Sequence, residues 1–301
     1  GFGLGGEWGG AVLLATENAP PGKQNWFGMF PQLGAPIGFL CSSGVFLLLG
    51  SLLSDAQFLQ WGWRVPFIAS SVLVLVGLYV RLRIEETPDF RRTLERNERV
   101  RVPFAAVLRE HALTLLLGTF AAVAVFVVFY LMTVFTLSWG TSKLGYARQE
   151  FLILQMIGVL FFGLTIPAAG WLADRISPRR ILIIASLGMA VYGLAFAPLL
   201  QAGQPGSVLL CLALGLGLMG VGYGPLGAAL ASLFPTAVRY TGASLTFNLA
   251  GIIGASLTPY AATWLATRYG LAAVGYYLSI AALLTLGALL LLRRGAIDGD
   301  Q

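Results

Sequence analysis

The chain has 301 residues, 57% of them hydrophobic, with 38 glycines, 11% charged residues and a formal net charge of +6. Soluble domains carry roughly 25% charged residues, so the few ionised side chains here cannot cover a water-facing surface, which excludes a soluble enzyme and a disordered chain. Cys41 and Cys211 lie in apolar runs and His111 is the single histidine, which excludes a disulfide framework and a histidine-based metal site.

A helix that crosses a bilayer needs about 20 mostly apolar residues. Nine such runs follow one another: Gly1–Thr16, Phe30–Leu53, Trp61–Val80, Ala112–Trp139, Phe151–Ala173, Ile181–Leu200, Val208–Phe234, Gly242–Leu265 and Leu271–Leu292. They are too long for strands and lack the alternation of an outer-membrane barrel. The expected fold is therefore an all-α polytopic membrane bundle.

In the first run, Gly1, Gly5 and Gly9, with Gly6 and Gly10, put small residues on faces that let another helix approach closely. Glu7 sits among them, about 13 Å from the helix end at 1.5 Å per residue. A carboxylate at that depth is costly unless it faces the bundle interior. It carries a proton, touches substrate, or is hydrogen-bonded glue. Glu17 is a rim residue.

The second run contains Gly34-Ala-Pro36-Ile-Gly38, where the proline removes a backbone donor and allows a kink. The Arg-rich stretch Arg81–Glu110 follows the third run. Phe90, Leu94 and Val100 fit either a surface amphipathic helix or a solvated linker. His111 stands at the rim, where the fourth run begins. Inside the helices the uncharged polar candidates for a pathway are Gln32, Tyr130, Thr133, Gln155, Tyr223 and Asn248. Singly each reads as interhelical glue; around a central cavity they form a binding surface for a small polar metabolite.

Two stretches match G-x-G-x-x-G, Gly1/Gly3/Gly6 and Gly215/Gly217/Gly220, but neither lies between a strand and a helix, so a dinucleotide site fails. No phosphate-binding loop and no cofactor site is implied. Asp174, Arg175, Arg179 and Arg180 lie just past a helix end. An aspartate there pairs with Arg179, with Arg180 or with the N-terminus of a neighbouring helix. A contact of this kind that breaks in a second conformation is a latch; the alternative is a turn whose charges only fix topology. Arg239, after Pro235, carries the same two readings.

Several segments resemble one family. Gly170-Trp-Leu-Ala-Asp174-Arg175-Ile-Ser-Pro-Arg179-Arg180 resembles the loop signature of the major facilitator superfamily. Leu233-Phe-Pro235-Thr-Ala-Val-Arg239-Tyr-Thr-Gly242 resembles the loop before its penultimate helix. Gly5-Gly-Glu7-Trp, Trp61-Gly-Trp-Arg64-Val-Pro-Phe and Glu85-Glu86-Thr-Pro88-Asp-Phe90 narrow the likeness to the metabolite:proton symporters, which include shikimate, dicarboxylate, citrate and proline/betaine carriers. Ser177, Pro178, Ser232 and Ala237 depart from the family pattern.

The resemblance implies residues 1–80 from the N-terminal six-helix half, a central cytoplasmic loop over 81–111, a C-terminal six-helix half over 112–292 and a tail over 293–301. Three helices of the first half are then missing. It also implies proton-coupled symport of a small organic acid or zwitterion by alternating access, with H⁺ as coupling ion. The pathway would use Glu7, Gln32, Tyr130, Gln155, Tyr223 and Asn248, and the cytoplasmic gate Gly170, Asp174, Arg175, Arg179, Arg180 and Arg239. The partners are a small metabolite and the lipid bilayer, with no nucleic acid, and the carrier is a monomer in a bacterial inner membrane. The other reading is a non-transporting remnant of such a carrier; a membrane-embedded enzyme lacks the clustered side chains it needs.

Fifteen of the 19 basic residues fall on one side if the connections alternate, with only Arg64, Lys143, Arg148 and Arg268 on the other. Cytoplasmic connections are rich in lysine and arginine. Cysteines placed at positions 143 and 178 therefore label from opposite faces of the membrane; labelling of both by an impermeant reagent from one face overturns this topology.

Overall fold

The computed structural model describes residues 2–83, 103–201, 204–292 and 297. Helix α1 is Phe2–Glu17 and α2 is Gln24–Gly28; a 3₁₀ turn at Pro31–Leu33 leads into α3, Gly34–Leu52. The short α4, Asp55–Gln60, starts with a capping box in which Ser54 and Gln57 satisfy each other's backbone. Next come α5, Val65–Arg83, and α6, Pro103–Glu110. Beyond it lie α7, Ala112–Tyr130, and α8, Thr136–Ser142, joined by a π turn at Leu131–Phe135. The rest is α9, Arg148–Arg175; α10, Pro178–Gln201; α11, Pro205–Ser232; α12, Thr236–Gly251; α13, Thr258–Tyr269; and α14, Leu271–Leu291. A second π turn, Ile252–Ser256, joins α12 to α13.

Eight helical stretches among the described residues are long and apolar enough to cross a membrane. They match eight of the nine expected runs. The ninth is α1, whose 16 residues fall short of a full span. No strand occurs among the described residues. The proposed surface helix around Phe90, Leu94 and Val100, the motif Glu85–Phe90 and most of the central loop lie outside them, as does most of the tail. The loop's last part is helical: in α6, Val107 is buried while Phe104 and Leu108 face outward. The expected bend at Pro36 is displaced. Pro36 falls in the first turn of α3, where a missing donor costs nothing, and the irregular backbone is one turn earlier at Pro31–Leu33.

Helices α7, α9, α10, α11, α12 and α14 enclose one core. Lipid tails are as apolar as leucine, so helix association in a membrane relies on close packing and hydrogen bonds. Both are present. Gly193 of α10 and Gly275 of α14 meet backbone to backbone, and Ser279 donates to the Ala190 carbonyl at 2.7 Å. Thr285 of α14 donates to Phe120 of α7 at 2.7 Å and accepts from the Ala124 amide at 3.1 Å. Tyr192 of α10 donates to the Cys211 carbonyl of α11 at 2.7 Å. Against this core, α1 packs on α12 and α11, α2 on α9 and α11, and α3 on α9. In α1, Gly9 lies directly on Ser244 of α12, as the glycine spacing predicts. Helix α5 sits at the periphery with most of its apolar side chains exposed.

The Gly193–Gly275 contact generates a prediction. A valine at Gly275 has no room against the Gly193 carbonyl, and overpacking of this kind costs about 1–3 kcal/mol. Gly275→Val should lower the thermal midpoint in detergent, whereas Gly287→Val, where a Cβ meets nothing within 4 Å, should leave it unchanged.

Candidate functional site

The residues singled out by the sequence fall into groups at different depths. The first is the end of the bundle where α9 and α14 finish and α2 begins. Helix α2 has five residues, and its N-cap residue, Lys23, supplies no side-chain cap. The cap comes from Asp174, 149 positions from Asn25. Its Oδ1 accepts from the Asn25 amide at 2.8 Å and from Asn25 Nδ2 at 3.0 Å, and its Oδ2 accepts from the Trp26 amide at 2.8 Å. Of the three partners the sequence allowed, the structure selects the helix N-terminus. The choice is sound electrostatically, because orphan amides and the helix dipole both favour a carboxylate there. Gly170, one turn earlier on α9, makes the approach possible: a Cβ there would lie 3.1 Å from both the Asn25 carbonyl and Met29 Cγ.

Arg179 turns the other way. Its guanidinium donates to the Leu289 carbonyl at 2.9 and 3.1 Å, and to those of Leu290 and Leu292 at 3.2 and 3.4 Å, capping the end of α14. Arg175 lies over the Trp171 ring at 3.9 Å. Arg180 is exposed. Its amide donates to Ser177 Oγ at 3.2 Å, so Ser177 and Pro178 form an N-cap and first-turn pair for α10. The two departures from the family pattern are thus a helix start. Arg239 bridges to Glu17 at 3.3 Å and donates to the Phe234 carbonyl at 3.3 Å. Glu17 at the end of α1 and Asn25 at the start of α2 flank one short loop, so Arg239 and Asp174 hold that loop from both sides.

The second group lies deeper. Gln32 is fully buried; its Oε1 accepts from Trp8 Nε1 at 2.9 Å and its Nε2 donates to the Tyr223 carbonyl at 3.1 Å. One carboxamide therefore joins α1, the turn before α3, and α11. Trp8 stacks on Phe247 at 3.6 Å, and Phe247 meets Phe126 edge-on at 4.9 Å. Tyr223 lies 6.5 Å from Phe247 and 5.7 Å from Phe162. Asn248 donates to the Ser244 carbonyl of its own helix at 2.7 Å. Tyr130 is half-buried against Phe129. Glu7 is exposed, so the burial expected of it is not supplied by the described residues. Its neighbour Trp8 faces the bundle instead.

Gln155 stands apart from both groups. It lies 19 residues before Asp174 on α9, about 28 Å along a helix. Its Nε2 donates at 2.8 Å to the Met132 and Thr133 carbonyls. Thr133 itself bonds within its own helix, to the Phe129 carbonyl at 2.6 Å.

A family model, described as Major Facilitator Superfamily, matches residues 1–255. The chain belongs to the Major Facilitator Superfamily. Among similar proteins, the inner membrane metabolite transport protein YhjE of Escherichia coli K12 is 52% identical over 296 residues, covering 97% of this chain and 67% of that protein. The shikimate transporter of the same strain is 32% identical, covering 96% and 66%. Its proline/betaine transporter is 29% identical, covering 95% and 59%. The chain thus spans about two thirds of its relatives' length. A structure of a D-xylose–proton symporter and one of a double-tryptophan variant of XylE share the fold, with TM-scores of 0.63 and 0.70 at 19% and 16% identity; they cover 93% and 96% of this chain and 65% and 69% of theirs. Relatives and fold alike are those of superfamily transporters and not of enzymes, and the likeness to metabolite carriers read from the motifs holds.

Sequence reasoning named Asp174 with a helix N-terminus among its partners, but not which helix, and named Arg239 without Glu17. Glu17 read as a rim residue, and Asn25 and Trp8 were not singled out. A carboxylate at one helix end and an arginine 222 positions later give no local signal that they meet. Asp174→Asn should weaken the α2 contact, because one carboxamide nitrogen must then face an amide donor. Hydrogen bonds to a charged group are worth about 1.5–3 kcal/mol. With Cys41 replaced and Met29, buried behind α2, changed to cysteine, a maleimide should label the Asp174→Asn variant at least several-fold faster. Equal rates mean the carboxylate does not hold α2 in place.

Proposed function

We propose that the protein is a secondary active transporter. It moves a small organic acid or zwitterionic metabolite together with a proton across a bacterial inner membrane by alternating access. The observation that carries this reading is the double hold on the loop between α1 and α2: Asp174 on the amides of α2 and Arg239 on Glu17. Both are contacts between charged or polar groups at a membrane rim, where water can replace them when they part. Apolar packing offers no such exchange. The structure is therefore read as the state closed at this end, with the Trp8–Gln32–Tyr223 bridge as a deeper closure. In this reading that end is cytoplasmic and the C-terminus lies on the same side. Residues 1–80 belong to one moving half and 112–292 to the other. The names of the relatives support metabolite transport, and those of the structural neighbours support coupling to protons.

Glu7 is the proposed proton carrier. The reading now rests on its depth and on its place beside Trp8, not on burial. Gln32, Tyr130, Tyr223 and Asn248 are proposed to face the substrate path, and no cofactor takes part. A non-transporting remnant is not favoured, because both rim contacts and the deep bridge are complete in this chain.

Full-length protein in proteoliposomes should accumulate one of labelled shikimate, proline or glycine betaine when the lumen is made alkaline. Accumulation should collapse on adding a protonophore. Glu7→Gln should abolish proton-driven accumulation and leave counterflow exchange, which needs no net proton movement. Unchanged accumulation in Glu7→Gln removes the residue from the proton path. Accumulation that ignores the protonophore overturns coupling altogether.

A further inference from the structure

Two of the membrane spans are broken at π turns, Leu131–Phe135 between α7 and α8 and Ile252–Ser256 between α12 and α13. Such turns concentrate at functional sites, and they leave carbonyls that need partners from elsewhere. The segments beyond them, α8 and α13, face each other across a pocket. Val134 and Phe135 of the first turn and Ser138 of α8 line one wall; Tyr260, Thr263 and Trp264 of α13 lie on the other. The pocket is at the end of the bundle away from Asp174.

The two turns are held differently. Gly254 of the second is pressed directly on the backbone of α7, where a Cβ would lie 2.7 Å from the Val123 carbonyl and 3.3 Å from the Val127 amide. The first turn is held by a side chain. At its end the Thr136 amide reaches back five residues to the Leu131 carbonyl. The Met132 carbonyl takes Thr136 Oγ1 at 2.6 Å and Gln155 Nε2 at 2.8 Å; the Thr133 carbonyl takes the same Nε2 at 2.8 Å. Gln155 is fully buried. Its orientation is fixed by chemistry, since the flipped amide would set Oε1 against two carbonyl oxygens. Both N–H groups are committed, and Oε1 has no partner. One turn earlier on α9, the Phe151 ring lies under Gly140 of α8 so closely that no side chain fits at that position. The first two turns of α9 therefore cradle α8, with Phe151 as a floor and Gln155 as a tie.

We propose that Gln155 is the positioning residue of a hinge: its carboxamide holds the turn Leu131–Phe135 and so sets the angle of α8 against α13 across the pocket. The inference rests on the alternating-access reading, in which this end opens when the Asp174 end closes. It moves Gln155 from the substrate path, where its sequence position suggested it, to the backbone of a gating helix. Opening requires the tie to let go or to pass from one carbonyl to the next.

Spin labels at Ser142 and Thr267, both exposed, report the distance between the ends of α8 and α13. The measurement uses full-length protein in lipid nanodiscs with Cys41 replaced and no substrate or gradient. The parent, measured at the same acidic and alkaline pH, is the reference at each pH. Gln155→Leu fills the space without donating, and should broaden the distribution or shift it by several ångströms. Gln155→Glu keeps the length and donates only when protonated. It should be broad at alkaline pH and return towards the parent at acidic pH, a reversal that a merely space-filling role does not give and that also serves if the leucine variant fails to fold. A parent-like distribution in Gln155→Leu, or a Gln155→Glu distribution that differs from the parent equally at both pH values, overturns the proposal. A residue that only binds substrate would leave these substrate-free distances untouched. Failure of uptake refutes transport without touching this result, and unchanged distances refute the hinge alone.

Discussion

The arrangement of the Asp174 end depends on one carboxylate. A five-residue helix has no stability of its own, because nucleation fixes several residues before propagation returns anything. Helix α2 also lacks a local cap. Asp174 supplies three acceptor contacts to its first turn, and Gly170 removes the side chain that would hold the two helices apart. Where α2 sits decides where the loop before it sits, and that loop begins one residue after Glu17, the partner of Arg239. The carboxylate thus orders a chain of contacts running from α9 through α2 and α1 to α12. Arg179 on the carbonyls of α14 is the complementary device: an acid on a helix start and a base on a helix end, each matched to the dipole it faces.

The fold was legible in the sequence because the bilayer imposes one rule on every span. Backbone polar groups must be satisfied within the segment, so length and apolarity identify helices almost unaided. Eight of the nine runs reappear with ends moved by a few residues. The breaks within spans were less legible. Pro36 advertised a bend that lies instead at Pro31–Leu33, since proline is tolerated in a first turn. The first π turn, Leu-Met-Thr-Val-Phe, holds no helix breaker and is tied by Gln155 from another helix; the second, Ile-Ile-Gly-Ala-Ser, holds only Gly254, one glycine among many in these runs. Among the site residues, types that belong at a rim were readable because charge there has few uses. Partners were not, because Asp174 reaches Asn25 and Arg239 reaches Glu17 across more than a hundred positions. Gln32 and Gln155 show the remaining limit. Both are buried glutamines in apolar helices, and only coordinates reveal that one ties three elements together and the other ties a π turn.

The rim and the interior of the bundle are held by different chemistry, and the difference follows from water. At the Asp174 end the contacts use full charges, with Arg239 partly exposed. There, ions that separate are rehydrated at once, so the contact is strong enough to order the loop and cheap enough to break. Deeper in the bundle a buried ion pair would have no such refuge, and a separated charge in hydrocarbon costs several kcal/mol. The deep contacts are accordingly neutral: a carboxamide to a carbonyl, an indole to a carboxamide, stacked rings. A neutral hydrogen bond is worth only about 0.5–1.5 kcal/mol net, so a bridge of this kind fixes register without locking the helices together. Strong reversible contacts where water is near, weak specific ones where it is not, is the distribution that a bundle with two accessible states requires. A chain selected only for rigidity would gain nothing from placing its charges where they part most easily.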